Sequence, residues 1–463
     1  MHLTLAQRFG VSAQKNNDNT DCPERKALRL KILIITAYFP PQNSIASLRP
    51  YSWAKYWSRA GHDVTVLTIP KDYHPSNTPM PTEGFKVMEI PIPGLKFLRK
   101  LLGVRKVHGK RTDDIVQAWP CELNLKNWLR VKLDNWRQHY GVIYACRMPD
   151  PMDVWKMVAI RAVKNKCWDL VISSAWPYCV HAPAHYLRSH GLAKKWIADW
   201  RDLWVDNHMF PGLPGVRLIE RWLEKRWSEC ADIITTVSQP LADRLRHKYG
   251  NKVQVVFNGF DPEDYQQIPH ERAFPDDATI RIVYTGTIYA NQRDPTPLFQ
   301  ALARMDRNGK IQPGRLQVLF CGHNANVDAL ARKEGIEAYV KYLGFVPRNE
   351  ALRMQRDASA LLFLEFESET VKGILTGKLF EYLFAGPPIL AVGVGKESGA
   401  GELLMRTGSG QACGRDIGKI VAFVEDLLNK QCKPRKDLPG EVMSFSRQAA
   451  ADKLLNFVTG EGL

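Results

Sequence analysis

The sequence contains no apolar run long enough to cross a membrane. Its longest uninterrupted runs are no longer than stretches such as "ALLFL" (Ala360–Leu364), whereas a membrane-spanning helix needs about 18–20 apolar residues. The N-terminal stretch also lacks an apolar core of signal-peptide length, so we expect a disordered tail over residues 1–28. The pattern therefore predicts no integral membrane helix.

Cysteine is scarce and has no metal-binding or disulfide spacing. The nine cysteines are odd in number, widely scattered and include no C-x-x-C pair. This argues against a disulfide framework or a zinc ribbon and favours reduced thiols in a cytosolic protein.

Acidic residues are too few to balance the basic ones, and the formal net charge is +16. Such a charge indicates an anionic partner, which could be nucleic acid, acidic lipid or a phosphorylated small molecule. Residues 94–111 ("GLKFLRKLLGVRKVHGKR") contain seven Lys/Arg and no acid. On a helical wheel their leucines and basic residues fall on opposite sides, which is typical of an interfacial helix on an anionic membrane surface. A solvated surface helix is the alternative.

What the sequence does have is a long alternation of short apolar runs and helix-length amphipathic stretches. The runs are Lys31–Thr36, Asp63–Ile69, Asp169–Ser174, Lys195–Asp199, Asp232–Ser238, Val253–Gly259, Ile280–Gly286, Leu316–Gly322, Val340–Val346, Ala360–Glu365 and Pro388–Val392. This pattern predicts parallel strands buried on both faces, in two doubly wound α/β domains. The seam is expected near Asn258–Asp277, which is rich in Pro, Asp and Gln. Ligands would bind in the cleft beyond the carboxyl ends of the strands.

Several blocks resemble family 4 glycosyltransferases of the GT-B fold, in the family's order. They are "KILIITAYFPPQNSIASLRPYSWAKYWSRAGHDVTVLT", "ADIITTVSQPLADRLRHKYGNKVQVVFNGFD", "IVYTGTIYANQRDPTPLFQAL", "VKYLGFVPRNEAL" and "GKLFEYLFAGPPILAV". Two further blocks, "SSAWPYCVHAPAHYL" and "WIADWRDLW", are similar to the branch that builds bacterial surface polysaccharides and glycolipids.

The resemblance implies a specific division of the chain. An acceptor-binding domain is expected over 29–262, a linker over 263–278 and a nucleotide-sugar-binding domain over 279–445. A C-terminal helix is expected over 446–463, with a return to the first domain as one arrangement.

The resemblance also implies a donor site around Lys378 and Glu381. In a transfer from a nucleotide-diphosphate sugar, the leaving diphosphate gains negative charge, which cations and helix N-termini stabilise. Lys378 and Arg293 are the expected basic pair, and Glu381 is expected to accept hydrogen bonds from the ribose hydroxyls. Thr376 and Gly377 would supply backbone N–H groups. The alternative for Lys378 and Glu381 is an exposed ion pair one helical turn apart.

Two other features bear on the donor site. Gly286 directly follows a predicted strand, where it either leaves room for ligand or serves as a turn glycine. Many family members carry a second, sugar-contacting glutamate eight positions before the first, and here that position is Gly373. One of three nearby carboxylates could take its place: Glu365, Glu367 or Glu369.

On the acceptor side, Asn43 and Ser44 stand where relatives often have two glycines. His181 matches a histidine that in relatives lies by the donor sugar and the acceptor hydroxyl, so we expect it at the edge of the cleft, in a catalytic role. A structural histidine is the alternative. Asp199, Arg201 and Asp202 are further candidates for the acceptor site, as an internal Arg–Asp pair with either a functional or a structural role.

No metal or other cofactor is expected. His181 and His185 have H-x-x-x-H spacing, but the glutamate of the zinc-protease motif is missing. There is also no D-x-D motif, which argues against the metal-bound diphosphate of the other large glycosyltransferase fold.

These features predict a retaining glycosyltransferase that uses a nucleotide-diphosphate sugar and a glycan or lipid-linked acceptor. We expect it in the cytoplasm, attached peripherally to the inner face of the membrane through residues 94–111. A sugar-nucleotide epimerase of the same fold and a non-enzymatic protein that binds membrane or nucleic acid are the alternatives. The absence of a recognised nucleic-acid module leads us to expect no nucleic-acid partner.

Overall fold

A computed structural model describes the chain as two compact units. The described residues are 29–42, 44–71, 80–94, 132–133, 135–137, 139–143, 147–207, 210–288, 293–322, 326–365, 375–432 and 440–460. The N-terminal unit holds Lys26–Val256 together with Ala451–Leu463, and the C-terminal unit holds Phe257–Ala450.

The N-terminal unit is built on a seven-stranded sheet in the order β3-β2-β1-β4-β5-β6-β7, and every pairing is parallel. Its strands are β1 (Lys31–Thr36), β2 (Asp63–Thr68), β3 (Lys86–Glu89), β4 (Trp168–Ser174), β5 (Ala193–Arg201), β6 (Ile233–Thr236) and β7 (Val253–Val255). Its helices are α1 (Ile45–Arg59), α2 (Met152–Val163), α3 (His181–Ser189), α4 (Pro214–Cys230) and α5 (Gln239–Tyr249).

The C-terminal unit has a six-stranded parallel sheet in the order β10-β9-β8-β11-β12-β13. Its strands are β8 (Ile280–Thr285), β9 (Leu316–Cys321), β10 (Val340–Gly344), β11 (Ala360–Leu364), β12 (Ile389–Val392) and β13 (Gly410–Gly414). Its helices are α6 (Pro262–Gln266), α7 (Thr296–Arg307), α8 (Val327–Glu334), α9 (Arg348–Asp357), α10 (Gly377–Ala385), α11 (Gly399–Thr407), α12 (Ile417–Leu428) and α13 (Gly440–Met443). The last helix, α14 (Arg447–Thr459), begins in this unit and belongs to the N-terminal unit from Ala451 onwards.

Both faces of each central strand are covered. In β8, Ile282 and Tyr284 pack into one apolar cluster with α7 and α12. Val283 points to the opposite face, into a second cluster with Phe380 of α10. Because successive side chains of a strand alternate between faces, this split places helices on both sides of the sheet. The predicted fold class, two doubly wound parallel α/β domains, is confirmed.

Each of the eleven predicted strands corresponds to an observed one, but the apolar runs do not reveal β3 and β13. Both lie at sheet edges, and neither reads as a continuous apolar run. In β13 ("GQACG"), a Cβ on Gly410 would lie 2.1 Å from the carbonyl oxygen of Ile389. The glycine is therefore needed for the close approach of β12, although it weakens the strand signal.

Candidate functional site

The strand order of the C-terminal unit reverses between β8 and β11. In open parallel sheets, ligands bind at such a switch point, outside the carboxyl ends of the strands. Gly286 follows β8 directly, and α10 is the first described helix after β11. The switch point of the sheet therefore lies between the elements that carry the expected donor-site residues.

The helix α10 is fixed to the core by one face. Its buried residues are Gly377, Leu379, Phe380, Tyr382 and Leu383. The helix ends at Gly386, whose φ of +102° an L side chain rarely adopts. Thr376 is the N-cap residue, and its side chain makes no capping bond within the described structure. Lys378 and Glu381 are left on the side of α10 that faces away from this core.

The Lys378 ammonium is buried without a hydrogen-bonding partner among the described residues. It lies 3.7 Å from the centroid of the Tyr284 ring, a cation–π contact that compensates only part of the lost hydration. Burial, and then the nearby Arg293 cation, hold the pKa of Lys378 well below its ordinary value, while Glu381 acts in the opposite direction. An anion at this position would satisfy the ammonium and raise its pKa.

Two glycines shape the backbone next to this ammonium. A Cβ on Gly286, whose φ is +125°, would lie 2.6 Å from Lys378 Nζ. A Cβ on Gly322, directly after β9, would lie 2.3 Å from the carbonyl oxygen of Gly286. The φ of +125° at Gly286 and the backbone contact at Gly322 both disfavour a side chain, so backbone lines this position beside Lys378.

Arg293 is held near Lys378 by its own loop. Its Nη1 donates to the carbonyl oxygen of Thr287 at 2.8 Å, and its charge lowers the pKa of Lys378. The two positive groups therefore repel each other, and a doubly charged anion would relieve that repulsion.

Glu381 does not pair with Lys378. Its Oε1 accepts from Arg348 Nη2 at 3.0 Å, and the same Nη2 lies 2.7 Å from Asp264 Oδ2. Burial opposes the charge of Arg348, but the Glu381 and Asp264 carboxylates outweigh it and raise the pKa of this arginine. The alternative of an exposed Lys378–Glu381 pair is thus excluded. Sequence spacing gave no signal for Arg348, because it lies 33 residues before Glu381.

A network of buried hydrogen bonds holds α10 in position against the end of β8. The Tyr265 hydroxyl lies 3.1 Å from the carbonyl oxygen of Glu381 and 2.8 Å from Gln355 Oε1. Gln355 Nε2 donates to Thr285 Oγ1 at 2.9 Å, and the backbone N–H of Thr285 donates to the Tyr382 hydroxyl at 2.9 Å. Burial raises the pKa of Tyr382, so the phenol stays protonated. The backbone at Glu381 is therefore tied to the end of β8 by polar contacts on both sides.

Of the three carboxylates considered as replacements at Gly373, only Glu365 lies within the described residues. It follows β11 directly, at the switch point, and burial raises its pKa. Glu367, Glu369 and Gly373 itself lie outside the described residues.

In the N-terminal unit, the strand order reverses between β1 and β4. Ser44 caps α1 near the end of β1, and its Oγ accepts from the backbone N–H of Ser47 at 3.2 Å. Asn43 lies outside the described residues. His181 begins α3, the first α-helix after β4. The switch point of this sheet therefore also lies between residues predicted for the acceptor side, Ser44 and His181.

His181 differs from the expectation of an open position, because it is completely buried. Its Nδ1 lies 2.8 Å from Ser173 Oγ, and its ring centroid lies 4.3 Å from that of Trp200. Burial lowers the pKa of His181 to about 3, against the opposing charge of Asp199, so the imidazole is neutral at pH 7. Its Nε2 is buried and has no hydrogen-bonding partner in the described structure.

Asp199 is paired, but with Arg49 rather than with Arg201. Arg49 Nε and Nη2 donate to the two carboxylate oxygens at 3.0 and 2.9 Å. Ser174 and Thr235 each add a hydroxyl donor at 2.7 Å. Burial opposes the charge of Asp199, and the pairing with Arg49 outweighs it, so the pKa of Asp199 is lowered. Four donors on a carboxylate with 0% exposure make this a structural centre of the unit.

Arg201 and Asp202 lie at the end of β5. Arg201 has a φ of +60°, and its Nη1 donates to the carbonyl oxygen of Ala175 at 2.9 Å. The backbone N–H of Asp202 donates to the carbonyl oxygen of Trp200 at 2.7 Å. Arg201 is half-buried, so part of it remains available beyond the strand ends.

The described residues contain no cluster of three or more His, Cys, Asp or Glu side chains that could hold a metal ion. Within the same residues, no helix is long and apolar enough to span a membrane. The basic segment 94–111 lies outside the described residues, apart from Gly94.

Comparison with known proteins agrees with this architecture. Residues 47–259 match the model of the glycosyl transferase 4-like domain, and no curated protein matches the chain by sequence. A sucrose-phosphate synthase from Thermosynechococcus elongatus is 13% identical with a TM-score of 0.54, over 93% of this chain and 99% of that one. A UDP-forming trehalose-phosphate synthase from Burkholderia xenovorans is 12% identical with a TM-score of 0.56, over 93% and 99%.

The TarM protein of S. aureus is also similar, with 8% identity and a TM-score of 0.55 over 93% of this chain and 100% of that one. At these identities the likeness to solved structures shows the fold alone. Residues 47–259 therefore match a glycosyl transferase 4-like domain, and the chain has the GT-B fold of the solved glycosyltransferases.

Proposed function

We propose that this enzyme is a retaining glycosyltransferase that moves a sugar from a nucleotide-diphosphate sugar to a glycan or lipid-linked acceptor. The observation that carries the donor part is the buried Lys378 ammonium, which has no hydrogen-bonding partner among the described residues and lies at the switch point of the sheet. A chain that keeps a desolvated cation unpaired loses stability unless an anion occupies the site during function.

Each donor-site residue has a distinct role in this proposal. Lys378 and Arg293 hold the diphosphate and stabilise the charge that develops on it as the glycosidic bond breaks. Gly286 leaves the backbone open to close approach, and Thr376 and Gly377 offer N–H groups at the start of α10. Glu381 accepts hydrogen bonds from the ribose hydroxyls. No metal is required, because the two side-chain cations balance the diphosphate.

The residues proposed for the acceptor side fall into two groups, one near the strand ends and one buried. Ser44, Arg201 and Asp202 lie beyond strand ends of the N-terminal sheet, where an acceptor would bind. His181 and Asp199 are buried, so they would act by holding the strands beneath that surface rather than by contact with the acceptor. A direct catalytic role for His181 requires a rearrangement that exposes Nε2.

The lipid-linked acceptor, the role in polysaccharide or glycolipid synthesis and the cytoplasmic face of the membrane rest on the charge and on the sequence resemblance. The net charge of +16 and the basic segment 94–111 suit an enzyme whose acceptor stays in an anionic membrane. TarM, which shares the fold, was determined with UDP and α-GlcNAc-glycerol. That complex supports a nucleoside diphosphate as the leaving group here.

The experiment is a thermal-shift screen of the full-length protein against UDP-, GDP-, ADP-, CDP- and dTDP-sugars, followed by release of the nucleoside diphosphate with candidate acceptors. We expect one base to stabilise the protein, and we expect release to require an acceptor. If no sugar nucleotide raises the melting temperature, the proposal is wrong. Turnover of the donor without any acceptor would instead indicate the epimerase alternative.

A second experiment tests how Glu381 is positioned. Arg348, which Asp264 also binds, donates to one carboxylate oxygen of Glu381 and leaves the other for a ribose diol. Replacing Arg348 with methionine is therefore expected to weaken nucleoside-diphosphate binding about tenfold, and to reduce the preference for the ribonucleotide over its 2′-deoxy analogue. The measurement is calorimetric titration with each nucleotide of the pair.

Arg353→Met is the matched control, because Arg353 is on the same helix and pairs only with Glu350 among the described residues. It should leave both affinities unchanged. The double variant Arg348→Met/Glu381→Gln should prefer the ribonucleotide over its 2′-deoxy analogue to the same degree as Glu381→Gln alone. An Arg348→Met protein that still prefers the ribonucleotide as strongly as wild type would show that Arg348 does not position Glu381.

A further inference from the structure

The helix α4 buries two carboxylates and exposes large apolar side chains, unlike an ordinary surface helix. Its buried side carries Glu220 and Glu224 together with Trp227 and Ser228, whereas Leu218, Ile219 and Trp222 are 67%, 53% and 57% exposed. Helices on a protein surface normally bury their apolar stripe and expose their charges. Large apolar side chains grouped on an exposed helix face mark an interaction surface.

The buried side of α4 explains why the helix keeps this orientation. Glu220 forms an ion pair with Arg147 at 2.9 Å, and both side chains are completely buried. Glu224 accepts from the backbone N–H of Val205 at 2.9 Å and from Lys248 at 3.2 Å. Rotating α4 to hide its leucine and tryptophan would leave these charges without partners, at a cost of several kcal/mol. The exposed face is therefore fixed by the fold.

Basic side chains surround the exposed apolar ones. Arg221, Lys225 and Arg226 are exposed on α4, and the Arg226 guanidinium lies 5.2 Å from the centroid of the Trp222 ring. On α4, which the structure describes in full, Glu229 is the one exposed acid, and it lies 3.7 Å from Lys225. A tryptophan, a leucine and an isoleucine bordered by Lys and Arg make up the composition of helices that lie in a membrane interface.

The helix α2 carries a similar set of exposed side chains. Helices α2 and α4 both pack against α3. On α2, Val154 and Met157 are 49% and 53% exposed, together with the exposed side chains of Arg161 and Lys164. Two helices of one unit thus present the same combination of apolar and basic side chains.

We propose that the face formed by the exposed side chains of α4 docks onto an anionic lipid bilayer. The apolar side chains would enter the interface while Arg221, Lys225 and Arg226 contact the headgroups. A second copy of the chain fits less well, because a two-fold contact through this face would bring the same basic residues together. Nucleic acid would leave the aliphatic side chains without a favourable contact. The inference stands on residues separate from the donor site and from segment 94–111.

The test is co-sedimentation of the full-length protein with vesicles of phosphatidylglycerol and phosphatidylcholine, or of phosphatidylcholine alone, without nucleotide. Wild type should bind the anionic vesicles more tightly. Leu218→Ser/Ile219→Ser/Trp222→Ser should reduce that binding at least about tenfold. Arg221→Gln/Lys225→Gln/Arg226→Gln should reduce the preference for anionic lipid by about fivefold per charge.

Met405→Ser is the control, since Met405 is 70% exposed on the C-terminal unit and should not affect vesicle binding. Melting temperatures of all variants should match wild type, because the substituted side chains are exposed. Equal vesicle binding by wild type and the apolar triple variant would overturn the proposal. So would a wild type that ignores vesicles but forms a dimer, or binds duplex DNA, through these residues. Because no nucleotide is present, the outcome is independent of the proposed donor site.

Discussion

Replacing Lys378 with methionine is expected to weaken nucleoside-diphosphate binding about 10- to 150-fold while leaving the free protein at least as stable as wild type. The first effect follows from losing charge-assisted hydrogen bonds to the diphosphate, each of which contributes about 1.5–3 kcal/mol. The second follows because the ammonium of the free protein is buried without a hydrogen-bonding partner among the described residues. Methionine has a similar length and no charge to desolvate.

Two measurements check this prediction: calorimetric titration with the nucleotide that stabilises wild type, and the melting temperature of the free protein. The stability of wild type and of Lys378→Met should differ most at pH values below the ordinary lysine pKa. There the unfolded chain binds a proton that the buried Lys378 holds weakly, so this residue destabilises the fold and its cost decreases as pH rises. Lys396→Met, at an exposed position of the same unit, should change neither quantity. Wild-type affinity in Lys378→Met would show that the diphosphate binds elsewhere.

Replacing Asp199 with alanine should destabilise the N-terminal unit by about 3–5 kcal/mol, because it leaves the buried Arg49 without its carboxylate. Asp199 also accepts from Ser174 and Thr235, so several donors lose their acceptor together. All thirteen tryptophans lie between Trp53 and Trp227. Urea unfolding followed by tryptophan emission therefore reports on this unit.

The pH dependence gives a further check on Asp199. Because its pKa is lowered in the folded protein, its contribution is complete above the ordinary aspartate pKa and is lost as pH falls through the lowered value. The difference between wild type and Asp199→Ala should hence persist down to about pH 4. Asp243→Ala, which removes an exposed carboxylate that pairs with Arg246, should cost less than about 0.5 kcal/mol. An equally small effect for Asp199→Ala would contradict the assignment of a structural centre.

The double variant Arg49→Met/Asp199→Leu separates charge from packing. Replacing both partners removes the uncompensated charge, so the double variant should be more stable than Asp199→Ala. A double variant that is less stable than either single one would mean that the hydroxyl network around the pair matters more than the ion pair itself.

Features that depend on neighbouring residues could be predicted from the sequence, whereas contacts between residues distant in the sequence could not. The buried central strands were predictable, because continuous apolar runs such as Lys31–Thr36 report burial on both faces locally. The strands β3 ("KVME") and β13 ("GQACG") were not, because neither contains a continuous apolar run. The donor-site prediction for Lys378 and Glu381 came from the resemblance of the block "GKLFEYLFAGPPILAV", which is again a local signal.

The partners of the site residues could not be predicted, because they are distant in the sequence. Arg49 meets Asp199 across 150 residues, and Arg348 meets Glu381 across 33. No spacing rule links such positions, because the order of strands in the sheet brings them together. The burial of His181 was missed on similar grounds, since its surroundings include Trp200, which comes from the neighbouring strand β5.

The glycines at the ends of β8 and β9 have a consequence for how this enzyme can change its substrate. If the diphosphate lies against Gly286 and Gly322, it meets amide and carbonyl groups that every amino acid shares. Such a surface recognises what all sugar nucleotides have in common. Substitution at either glycine is unfavourable, because both have a φ that L side chains rarely adopt and a Cβ on Gly322 would collide with the backbone of Gly286. We therefore expect differences in donor sugar within this scaffold to come from other segments.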